Sequence, residues 1–129
     1  MNQLRETRAK LETLSKWSAE NTTAKPVIES AAALIAKMAP IEARLLQVQM
    51  KASEDNLRYP NMLNEQYYTL QETLDAEDAA PGEPLQSVYA YLHGELTATL
   101  AKWRELGSNE LPTFNALLHA HGVASIGEF

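Results

Sequence analysis

Between Val27 and Val48 the apolar residues fall at Val27, Ala31, Leu34, Met38, Ile41, Leu45 and Val48, in alternating steps of four and three. That spacing keeps all of them on one side of an α-helix, as a seam packed lengthwise on other helices. At ~1.5 Å per residue the stretch makes a rod over ~30 Å long. The intervening Glu29, Ser30, Lys37, Glu42, Arg44 and Gln47 are polar, so the helix carries one stripe and not an all-apolar surface. Such a stripe needs partner helices, and a chain of 129 residues has room for several in one domain.

The remaining sequence supplies them. Leu4, Thr7, Leu11, Leu14 and Trp17 predict a first helix over 2–20, with Glu6–Lys10 and Glu12–Lys16 as i,i+4 pairs in the favourable order. Asn21-Thr22-Thr23 gives a polar turn with a Thr N-cap, and Pro26 falls in the first turn of the next helix, where a missing N–H matters little. That second helix spans 24–51, with a kink near Pro40 across which the stripe keeps its phase. After a polar connection, Asn61 caps a third helix over 61–76 whose inward residues are Leu63, Tyr67, Leu70 and Leu74. An acidic loop closed by Pro81, Gly82 and Pro84 precedes a fourth helix over 84–107. Its inward set is Leu85, Val88, Tyr89, Leu92, Leu96, Leu100, Trp103 and Leu106; Gly94 is small enough to admit a neighbouring helix, and Gly107 serves as the terminating residue. Ser108 then caps a short helix over 109–121, ended by Gly122, and the tail after Val123 has no periodicity. The expectation is an all-α single domain over 1–129: an antiparallel up-down-up-down four-helix bundle with a short fifth C-terminal helix.

Composition narrows the function. A formal charge of −6 and a pI near 5.0 argue against a general nucleic-acid binder, which needs a basic face. With no cysteine there is no disulfide, thiolate metal site or Cys nucleophile. The longest apolar run, Ala31 to Ala36, is far short of a membrane span, and residues 1–20 are charged and periodic, unlike a secretory signal.

No motif carries chemistry. His119 and His121 stand two apart, so on a helix they point in nearly opposite directions; they read as residues favoured near a helix C-terminus. His93 and Glu95 have the same spacing, and the Glu-x-x-His pattern of di-iron bundles does not occur. Met38 and Met62, the residues that could ligate haem with a histidine, read as packing residues. Asp75, Glu77, Asp78 and Glu83 form a solvated acidic loop without the spacing of a calcium-binding loop. No catalytic, cofactor or metal residue is therefore assigned, and the chain is not expected to be an enzyme. The adjacent Tyr67 and Tyr68 cannot both face inward, nor does Tyr91 share the side of Tyr89; Tyr68 and Tyr91 are the expected partner surface.

The run Asn56, Leu57, Tyr59, Pro60, Leu63, Asn64 resembles the C-terminal helical region of large bacterial sortilin-like β-propeller proteins, which carry Asp-box repeats and are often labelled glycosyl hydrolases. The likeness continues through Ala79-Ala80-Pro81, Leu96 and Leu100, and Leu111, Pro112, Phe114, Asn115 and Leu118, covering about residues 54–123; residues 1–52 match only in helical character. The motifs are ordered and spaced alike, though built from common capping and core residues. The resemblance implies a secreted or periplasmic parent whose propellers lie outside this chain, since no Ser-x-Asp-x-Gly-x-x-Trp pattern occurs here. It carries over no functional residue. The function expected is a non-catalytic helical accessory module that docks to the parent's propeller domains or to itself. The alternative is a small-ligand-binding or sensory bundle with an aromatic-lined pocket.

Overall fold

A computed structural model of the chain describes residues 2–18, 24–52, 55, 58–76 and 80–127, without the side chains of Trp17 and Ser18. The described residues form four α-helices and no strand: α1 (Asn2–Ser18), α2 (Lys25–Leu45), α3 (Leu63–Asp75) and α4 (Glu83–Ala120). The inward placement of Trp17, the Asn21-Thr22-Thr23 turn, Asn56 and Leu57, and Glu77 with Asp78 lie outside the described residues. The chain divides into two compact units, one of Met1–Ile41 with Lys102–Phe129 and one of Glu42–Ala101.

The first unit holds the α2 seam. Val27, Ala31, Leu34, Met38 and Ile41 are all buried, with Ala31 and Met38 at 0% exposure. Leu4, Thr7 and Leu11 of α1 are buried as well, as are Trp103, Leu106, Leu111, Phe114 and Leu118 of α4. Each large aliphatic side chain so removed from water contributes about 1.5–3 kcal/mol before conformational entropy is counted. On the surface, Arg8 Nε meets Glu12 Oε1 at 3.0 Å one turn along α1, and Lys37 Nζ meets Glu110 Oε1 at 2.6 Å between α2 and α4. Helix α2 continues through Pro40. Both Pro40 and Ala36, whose carbonyl the proline leaves without its helical donor, are exposed, so water can take that carbonyl.

Residues 109–120 are the last part of α4 and not a separate fifth helix, which corrects the expected break at Gly107. The apolar stripe explains why. Trp103, Leu106, Leu111, Phe114 and Leu118 keep helical phase across Gly107, so burial there outweighs the roughly 1 kcal/mol a mid-helix glycine costs. Ser108, expected as a cap, instead donates its hydroxyl to the Arg104 carbonyl at 2.9 Å, as a residue inside a helix does. The true end comes at Gly122. Its φ of 71° is the left-handed turn a glycine adopts freely. Gly122 N–H bonds to the His119 carbonyl at 3.0 Å and Val123 N–H to the Leu118 carbonyl at 2.9 Å, a Schellman closure.

The second unit contains the end of α2, the connection, α3 and the first part of α4. Its buried apolar residues are Leu45, Leu63, Leu70 and Leu92. Helix α2 stops at Leu45, six residues short of the expected end, and Val48 lies past it at 52% exposure; the seam is therefore one step shorter than its sequence. Glu42, a polar flank in the sequence, is buried. The cap of α3 is Met62 and not Asn61: no side chain caps the first turn from the N-cap position, and the Glu65 carboxylate reaches back to accept the Met62 N–H at 2.9 Å. Arg44 Nε and Nη2 both reach Glu95 Oε2, at 3.1 and 2.8 Å, tying α2 to α4. Asp55 folds the connection by accepting the backbone N–H groups of Lys51 and Ala52 at 2.8 and 3.1 Å. Those two bonds hold its carboxyl below the ordinary value of 3.8. Val88 and Tyr89, expected inward, are 46% and 51% exposed. Gly94 admits no neighbour among the described residues either: a methyl group there would meet none of their atoms within 4 Å.

Candidate functional site

In the second unit, α3 and the start of α4 enclose an open hollow of about 410 Å³. Helical spacing places Tyr67, Gln71 and Leu74 along one flank of α3, and Asn64, Tyr68 and Asp75 beside them. Tyr89 of α4 closes the other side. The ring of Tyr89 stacks on His93 one turn along, with centroids 5.6 Å apart and planes 18° from parallel. The lining is aromatic and aliphatic, with two amides and one carboxylate among it.

Tyr67 is the unusual member. Its hydroxyl is buried and has no hydrogen-bond partner among the described residues. Burial pushes its phenol above the ordinary value of 10.0, and the nearby Tyr89 pushes the same way. A phenol left unsatisfied forgoes the stabilisation a partner would give, about 1–3 kcal/mol for a buried polar group. A ligand or partner bearing a donor or acceptor would recover it.

Of the two residues expected to form a partner surface, Tyr68 and Tyr91 are each 62% exposed. Tyr68 borders the hollow, whereas Tyr91 is not among the residues lining it; the tyrosines the hollow brings together are Tyr67, Tyr68 and Tyr89. Tyr89, expected on the inward face of α4 with Leu92, stands 51% exposed at the hollow. Met38 is fully buried in the first unit and Met62 caps α3, each in a structural position. His119 and His121 are exposed in the closing turns of α4. Among the described residues no three His, Cys, Asp or Glu side chains are grouped to hold a metal ion. No described helix is long and apolar enough to cross a membrane.

No family model, curated protein or solved structure matches this chain.

Proposed function

We propose that this chain is a non-catalytic helical interaction module of a larger exported β-propeller protein, and that its second unit docks on the parent's propeller through the tyrosine face of α3 and α4. The observation that carries this reading is the placement of exposed apolar residues. Val48, Tyr68, Val88, Tyr89 and Tyr91 all lie in the second unit. Tyrosines standing in water around an open hollow are the side chains that anchor protein interfaces, where a ring is buried and a hydroxyl stays wet. The sequence resemblance over residues 54–123 supplies the parent, and with it a secreted or periplasmic location.

The coding sequence flanking this segment is the first test: Asp-box propeller repeats in the same reading frame support the proposal, and their absence sinks the parentage. Mixing the chain with those propellers in size-exclusion chromatography is the second. Co-elution that Tyr68→Ser abolishes is the result expected; a chain that elutes alone and unchanged overturns the docking. A second reading, a small-ligand or sensory site, is favoured by the unpartnered Tyr67 hydroxyl at the hollow. Stabilisation of the chain by sugars or amines in a thermal-shift screen, lost in Tyr67→Phe, would select it over the first.

A further inference from the structure

The tail after α4 has no periodicity, yet it is held. Asn115 Nδ2 donates to the Ile126 carbonyl at 2.9 Å, and Asn115 Oδ1 accepts from the Ile126 N–H at 2.8 Å. One amide side chain thus satisfies both backbone groups of one residue, as a neighbouring strand does in a sheet. The Ile126 side chain is 4% exposed, as well buried as Leu34. Beside it lies a hollow of about 390 Å³, bounded by Ala9, Thr13 and Leu14 of α1, with Lys10 at its edge, and by the small tail residues Ala124 and Ser125.

We infer that Asn115 and the adjoining face of α1 form a peptide-binding site, which the chain fills with its own tail. The clasp on the backbone is indifferent to sequence, while burial of Ile126 selects an aliphatic side chain at that place. Ala124 and Ser125 leave the neighbouring hollow open, so the tail is an incomplete occupant. The ligand class is an extended peptide with an aliphatic residue in the clasp and larger apolar residues before it. Tethering just past the Gly122 turn gives the tail an effective concentration in the millimolar range, so a free peptide enters only when the tail has left.

The test uses the full chain. Ile126→Asp puts a carboxylate where an apolar side chain is buried and releases the tail; Ile126→Ser is the milder substitute should the first not fold by circular dichroism. A fluorescein-labelled peptide with the sequence of residues 122–127 is titrated onto the released and native chains and followed by anisotropy. Binding to the released chain about tenfold or more tighter than to the native one is expected. Adding Asn115→Ala should abolish it, and leucine at the Ala124 place of the peptide should strengthen it. No binding to a folded, released chain overturns the inference, and so does equal binding to both chains. Hydrogen exchange in the native chain is an independent arm: the Ile126 amide should be protected, and Asn115→Ala should remove that protection while leaving the amides around Leu34 unchanged. An unprotected Ile126 amide in the native chain also overturns it.

Discussion

The two units draw on similar lengths of chain and place their apolar residues differently. Among the described residues, fourteen of the eighteen buried hydrophobic side chains belong to the first unit, and all five exposed large ones belong to the second. The first unit packs two helix stretches against the uninterrupted α2 seam and closes with a buried tail residue. The second has a 13-residue α3, four buried hydrophobic residues and a tyrosine-lined hollow. Stability and surface for recognition are thus separated along the chain. A region with few buried apolar contacts opens at lower free energy than a well-packed one, and binding surfaces are drawn from that end.

The largest expected effect strikes the packed side. Leu34→Asp places an unpaired charge at a position 4% exposed and should abolish folding, read as loss of helical circular dichroism. Leu70→Asp, at 7% exposure in the second unit, should loosen α3 while the first unit keeps its near-ultraviolet signature. Equal collapse in both variants would break the contrast. Pro40→Ala restores a helical donor on the exposed side of α2 and should be neutral or stabilising, by up to about 3 kcal/mol in chemical denaturation. A marked loss of stability there would show that the packing needs the proline. Gly94→Ala, in open space on α4, should stabilise by about 1 kcal/mol. Tyr68→Ser should change stability by less than about 0.5 kcal/mol, sharpening the claim that its ring serves a partner and not the core.

The smallest effect is local and pH-dependent. Asp55 has a folded pKa below its ordinary value of 3.8, so its contribution is complete above that value and is lost as pH falls through the lower folded one. The amide resonances of Lys51 and Ala52 should follow that titration, while those of the first unit stay still. Tyr67 has the opposite sign: its folded pKa is raised, so its contribution is complete below the unfolded value and fades as pH rises through the folded one.

Much of this organisation is legible in the residues, by one rule. Along α2 burial follows the phase of the apolar stripe: Val27 to Leu45 lie inside as spaced, and Pro40 does not interrupt them, whereas at the start of α4 the same phase leaves Val88 and Tyr89 exposed. The same rule, applied to Trp103, Leu106, Leu111, Phe114 and Leu118, carries α4 through Gly107. At Gly122 the stripe ends as well, and there the helix closes. Nothing in the spacing of Val48 reveals that the backbone has already left the helix. Phase could not find the cap at Met62, which depends on a carboxylate three residues on, or the clasp of Asn115 on Ile126, eleven residues apart across a tight turn. The hollow was half visible. Adjacency required one of Tyr67 and Tyr68 to face out, but only the pairing of α3 with α4 brings Tyr89 to Tyr67.

Native-state hydrogen exchange across the whole chain tests the division between the units most directly. Amides at the centre of α2, around Leu34 and Met38, should exchange only through global unfolding, and those of α3, around Tyr67 and Leu70, on the order of a hundredfold faster through local opening. Protection in α3 equal to that at the centre of α2 would contradict the account.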